Sequence, residues 1–174
     1  VVLYLSSLLG KPVAVVLPVT LLLIDYFEKR RLDIWVVADK VVLLLMSVGF
    51  GIKSIIDQKA FDALDTLDVN FSGIERLALG GYALVTYLWK AVVPVGLSNF
   101  YPYPLKTAAT PLSPVYYLYS LGAAAIIAFL IWMFIRKKYV VVFGSMFFLV
   151  NIALLLQFIP VGGAILADRY TYIP

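Results

Sequence analysis

Few residues in this chain can do chemistry. Among its 174 residues there is no His and no Cys, which removes imidazole bases, thiolates, disulfides and most zinc sites. No metal or cofactor is expected, and acid–base work falls to carboxylates, Lys or Tyr. Lys11 lies between Gly10 and Pro12 at a helix boundary, where its ammonium and the free amides of the next helix suit a phosphate. A lysine snorkelling to a membrane interface has the same surroundings. Asp168 and Arg169 read either as an ion pair that fixes a loop or as an acceptor beside a phosphate ligand. Tyr101, Tyr103, Tyr170 and Tyr172 make either an interfacial aromatic belt or flat faces for stacking on a sugar.

The elements that must hold these residues follow from composition. Hydrophobic residues make up 63% of the chain and charged residues 14%, and the mean hydropathy is +0.99. Soluble domains sit nearer half apolar and a quarter charged. The run Tyr116 to Ile135 holds no charge over 20 residues, long enough as a helix to cross the roughly 30 Å hydrocarbon layer. The expected fold is all-α, a polytopic transmembrane bundle with spans at about 1–9, 13–26, 34–56, 116–135 and 139–159. Residues 57–75 read as an exposed polar loop carrying Asp62, Asp65 and Asp68. Val1 opens inside an apolar run and Pro174 closes in a polar aromatic segment, so the chain is expected to be a piece of a longer multi-pass protein. No repeat is visible, and no basic run is long enough to suggest nucleic acid.

Orientation follows from the two densest basic clusters, Lys29 to Arg31 and Arg136 to Lys138, both expected on the cytoplasmic side. One crossing out and one back then account for 34–56 and 116–135. The stretch 76–97, with Lys90 and Pro94 inside it, is left as a re-entrant or interfacial helix on the outer face. Lys11, Arg76, the Tyr101 to Pro104 loop and Asp168 to Tyr172 would share that face.

Several segments resemble a known family. The run Leu8 to Val13 with Asp25 and Tyr26 resembles the stretch before a basic loop in membrane glycosyltransferases of the GT-C fold. Leu166 to Pro174 reads LADRYTYIP, similar to the ADRYxYxP motif of the transmembrane and tetratricopeptide-repeat O-mannosyltransferases and their bacterial relatives. Arg76, Leu77 and Ala78 with Tyr82 and Tyr87, then Pro94, Leu97, Phe100, Tyr101 and Pro102, resemble the same family's Arg-led helix and PxxL…FYP loop.

The resemblance implies an enzyme of the bacterial inner membrane or the endoplasmic reticulum membrane. It would take a sugar from a polyprenyl-phosphate carrier on the outer face and pass it to a protein or glycan, with membrane lipid around it. Lys11, Arg76 and Arg169 would then bind the donor's phosphate, and Asp168, Tyr170, Tyr101 and Tyr103 would line the site. The family's catalytic carboxylate is expected upstream of Val1, so no base is assigned and the chain alone is expected to be inactive. A secondary transporter or a non-catalytic membrane scaffold are the alternatives from other classes. An upstream outer loop with paired acidic residues would favour the transferase.

Overall fold

The computed structural model describes residues 1–30, 33–60, 71–104, 111–156 and 164–171. Six α-helices account for most of them: α1 (Val2–Gly10), α2 (Leu17–Phe27), α3 (Ile34–Ala60), α4 (Gly73–Val92), α5 (Pro114–Ile135) and α6 (Tyr139–Ile152). Two short strands, β1 (Tyr101–Pro102) and β2 (Ala164–Leu166), pair antiparallel with Tyr101 opposite Leu166. The chain is mostly helical, as expected, and this small strand pair is an addition whose residues are too few to show a period of two in sequence.

Among the described residues two helices are long and apolar enough to cross a membrane, the Ile34–Asp57 part of α3 and the whole of α5. A core helix of a water-soluble protein passes the same composition test, but it is mostly buried. Only 11% of the apolar window of α5 is buried inside the molecule and 18% of that in α3. Leu118, Leu121, Ile131 and Ile135 of α5 are all exposed. Exposed apolar surface of this kind marks a membrane or a protein interaction face.

The expected spans 1–9 and 13–26 meet at the predicted break. Lys11 is extended (φ −152°) between α1 and a 3-10 turn, Pro12–Val16, which feeds α2. With 9 residues in α1 and 11 in α2, each is about half the length that spans a bilayer. Both lean on α3. The Tyr4 hydroxyl lies 2.5 Å from Ser47 Oγ, whose own proton goes to the Leu43 carbonyl at 2.8 Å. At the end of α2, Asp25 takes Lys40 Nζ of α3 at 2.5 Å and Arg30 Nη1 at 3.5 Å.

Three further boundaries differ from expectation. The helix expected at 76–97 begins at Gly73, because Ser72 and Glu75 form a capping box: Glu75 N donates to Ser72 Oγ at 3.3 Å and Ser72 N to Glu75 Oε2 at 2.7 Å. It ends at Val92, ahead of Pro94. The loop expected at 57–75 is correspondingly shorter, since α3 runs to Ala60 and Glu75 is buried in the cap; Asp62, Asp65 and Asp68 lie outside the described residues. The span expected at 139–159 is helical through Ile152 and continues as a 3-10 turn to Leu155, with residues 157–159 outside the described part.

The core lies between α4, α5, the end of α6 and β2, where Leu79, Tyr87, Ile152 and Leu166 are almost fully buried. Gly81 lets α4 approach α5 at backbone distance: a Cβ there would stand 2.8 Å from Ser120 Cα. Beside this contact Tyr82 meets Tyr116 and Tyr119 edge to face, at 5.0 and 4.9 Å between ring centroids.

Candidate functional site

The strand pair brings together two segments that the sequence analysis singled out separately. After α4 ends, Gly96 adopts φ +63°, a left-handed conformation that glycine takes without strain, and the chain doubles back through Ser98 to Tyr101. The 3-10 turn Asp168–Thr171 lies against it. Asp168 N donates to Ser98 O at 3.2 Å, and Ser98 N returns a bond to Asp168 Oδ2 at 2.6 Å. Thr171 Oγ1 donates to the Asp168 carbonyl at 2.9 Å and closes the turn. Behind it the Ala167 amide donates to the buried Tyr87 hydroxyl of α4 at 3.2 Å.

Asp168 Oδ2 is also the target of side chains. The Tyr101 hydroxyl lies 2.7 Å from it and Lys90 Nζ 3.5 Å. Lys90 donates to the Gly96 carbonyl at 2.9 Å and to the Tyr101 hydroxyl, with its ammonium 4.6 Å from the centre of the Tyr101 ring. Having accepted from Lys90, the Tyr101 hydroxyl has one proton to give, to Asp168 or to the Gly96 carbonyl at 2.9 Å. Burial pulls the Lys90 pKa down, but the bond to Tyr101 and the charge of Asp168 outweigh it and hold the pKa above its ordinary 10.5.

This geometry separates the roles of the adjacent pair. The ion-pair partner of Asp168 is Lys90, 78 residues away, and a carboxylate oxygen that receives a backbone amide, a phenol and an ammonium is an anchor for the loop. Arg169 points outward, exposed, with Nη1 donating to Asn99 Oδ1 at 3.3 Å. A guanidinium beside the 98–101 loop is the kind of planar group that recognises phosphate or carboxylate.

The other predicted residues are placed as follows. Tyr101 belongs to the cluster. Tyr103 packs instead on Phe71, 5.8 Å between rings, and its phenol pKa is raised by burial, partly offset by the nearby charge of Arg76. Arg76 therefore stands in the first turn of α4 beside Tyr103. Tyr170 lies in the 3-10 turn, and Tyr172 falls outside the described residues. Lys11 is exposed on the α1–α3 side, and among the described residues no hydrogen bond or ion pair joins it to the cluster.

Sequence reasoning missed Lys90, noted only as a charge inside an apolar stretch, together with Ser98 and Asn99. A lysine in the last turn of a helix, followed within a few residues by a glycine and an aromatic, was the available signal.

A second collection of charge lies elsewhere. The turns after α2 and after α5, which carry the two basic clusters, border one groove: Phe27 and Phe143 stack at 4.2 Å, and Lys29, Arg30 and Tyr139 share its lining. Comparison with protein-family models, with curated proteins and with solved structures finds no match to this chain.

Proposed function

We propose that this chain is the membrane part of a multi-pass glycosyltransferase that accepts a sugar from a polyprenyl-phosphate donor at the outer face and delivers it to a protein or glycan. The observation that carries the reading is the meeting of the FYP loop with the ADRY turn: Ser98, Asn99 and Tyr101 are bonded to Asp168 and Arg169 across about 70 residues of sequence.

In this reading Asp168 and Lys90 fix the two loops against each other, and Arg169 meets the donor's phosphate. The leaving polyprenyl phosphate gains negative charge as the glycosidic bond breaks, and a cation at that position stabilises the transition state more than the ground state. Tyr101 supplies a flat, partly exposed ring, with the Lys90 ammonium 4.6 Å from its centre. Arg76, whose charge acts on Tyr103, and Lys11 are the two further cations of this reading.

The test is transfer from a polyprenyl-phosphate sugar by the longest natural chain that contains this sequence, normalised to folded protein. Arg169→Ala is expected to lower transfer by roughly tenfold to a hundredfold, as loss of one charge-assisted contact of about 1.5 to 3 kcal/mol would. Arg169→Lys should recover part of it, because charge returns without the fork. Unchanged normalised transfer in both Arg169→Ala and Lys11→Ala would overturn the donor-site assignment.

A further inference from the structure

We infer that the groove between α2, α5 and α6 binds a phospholipid with an anionic headgroup, one acyl chain lying along the groove and the phosphate held at the Lys29–Arg30 turn. This rests on the membrane residence proposed above and is independent of sugar transfer.

The groove has about 660 Å³ of free space, within the range of clefts that hold small ligands, roughly 300–1,000 Å³. Its walls are side chains such as Leu23 from α2, Ile127, Leu130 and Phe134 from α5, and Met146 and Leu149 from α6. The polar groups of its lining are gathered at one end. Lys29 and Arg30 stand there with the phenols of Tyr26 and Tyr139, next to Arg136, Lys137 and Lys138 in the following turn. Of the carboxylates nearby, Asp25 is paired with Lys40 at 2.5 Å and with Arg30 at 3.5 Å, which leaves Glu28 and Asp33 to set against Lys29, Arg136, Lys137 and Lys138. An apolar slot with a cationic mouth is complementary to an amphiphile with an anionic head. A purely apolar ligand would leave the cations unused, and a zwitterionic headgroup would meet them with its own cation.

The backbone gives a second, independent observation. Lys29 and Lys137 have φ +55° and +56° and are the non-glycine residues with positive φ among those described. Each is the residue just past a helix in a Schellman motif. Arg30 N donates to Asp25 O at 3.1 Å and Lys29 N to Tyr26 O at 3.2 Å; Lys138 N donates to Met133 O at 3.1 Å and Lys137 N to Phe134 O at 2.9 Å. Glycine is the residue that fits this position without strain. A helix C-terminus favours a nearby cation, but it does not require one at the strained residue itself. The chain carries a lysine there twice, on the two turns that border the same groove, and backbone strain of this kind collects at ligand sites.

The probe is Trp132, one turn before the second basic turn, with the Arg136 guanidinium 5.4 Å from its ring and its neighbours Ile131 and Phe134 in the groove lining. The full chain, with Trp35→Phe and Trp89→Phe, is placed in bilayers containing brominated-chain phosphatidylglycerol or brominated-chain phosphatidylcholine, and quenching of Trp132 is compared. Phosphatidylglycerol should be preferred by about fivefold or more for the cations of the turn. Lys29→Gln should reduce that ratio severalfold, and Lys29→Gln with Arg30→Gln should bring it to about one. Lys53→Gln, an exposed cation in α3 paired with Asp57, should leave it unchanged.

If the double variant fails to fold because Arg30 also braces Asp25, Lys29→Gln alone decides, since among the described residues no ion pair involves Lys29. Equal quenching by the two lipids in the parent chain, or an equal drop from Lys53→Gln, overturns the proposal. So does displacement of the lipid by millimolar inorganic phosphate, which would make the turn a phosphate site without a chain requirement. A dimer by light scattering with no quenching of Trp132 would mean that a second copy covers the groove, and it would overturn the proposal as well.

Discussion

Two Asp–Lys pairs of nearly equal burial hold the two ends of this molecule, and they do different work. Asp25 and Lys40 join consecutive helices, with side chains 11% and 9% exposed. Asp168 and Lys90, 15% and 13% exposed, join segments 78 residues apart. The first pair is made by side chains of α2 and α3, and Arg30 adds a third charge. The second draws in a backbone amide and a phenol as well, and so dictates where the neighbouring Arg169 stands. Similar burial and similar charge thus give a local brace in one place and a long-range registration of two loops in the other. What separates them is the number of independent chain segments that depend on one carboxylate oxygen.

The largest effects should come from removing that carboxylate. Asp168→Ala and Asp25→Ala each leave a lysine without its carboxylate, and each should lower stability in detergent unfolding, Asp168→Ala by about 3 kcal/mol. Only Asp168→Ala should also abolish transfer per folded molecule, because it releases Arg169. Loss of normalised transfer in Asp25→Ala would break the distinction. Gly81→Ala is next, at about 1 to 3 kcal/mol, because the new methyl meets Ser120 Cα at 2.8 Å. It should loosen the α4–α5 side while leaving the Asp25–Lys40 brace intact, which site-directed spin labels on α2 and α3 can check.

Tyr101→Phe removes one hydrogen bond to Asp168 and one to Lys90 and should cost about 1 kcal/mol. A change as large as that of Asp168→Ala would mean the phenol, and not the ion pair, sets the loops. The smallest effect is alkaline. Lys90 has its pKa raised above 10.5 and Tyr103 above 10.0. In both, the folded state holds the proton more tightly than the unfolded chain, so the stability they add is complete below pH 10 and is lost as pH climbs through the raised values. Unfolding followed from pH 9 to 12 should show this loss, and Lys90→Gln should flatten the part that begins near 10.5. An unaltered profile in Lys90→Gln would remove Lys90 from the account.

Much of the helical frame was legible because long apolar runs leave the backbone little choice. The helix expected at 116–135 forms at Pro114–Ile135, and the break at Lys11 and Pro12 falls where a proline after a glycine puts it. The start of α4 was equally available, since Ser72, Gly73, Ile74 and Glu75 spell a capping box, but the acidic residues before it made the whole stretch read as loop. The site was legible only in pieces. Tyr101, Asp168 and Arg169 stood out by type, whereas Lys90 did not, because nothing local to Lys90 announces a partner 78 residues on. The two strands that make the meeting possible hold two and three residues, too few to leave a pattern.

The separation between Ser98 and Asp168 also orders events in time. Their mutual bonds close a loop of 70 residues, an entropic cost that falls after the helices between them exist. During synthesis α4 is finished, with Lys90 in its last turn, long before the ribosome reaches Asp168. Lys90 therefore waits through the making of α5 and α6 with the Gly96 carbonyl and the Tyr101 phenol as its nearby partners. Nascent chains stalled so that residues through 160 or through 174 have left the ribosome should differ sharply in protection of the 93–104 segment from protease, and the step between them marks the moment at which the two loops become one surface.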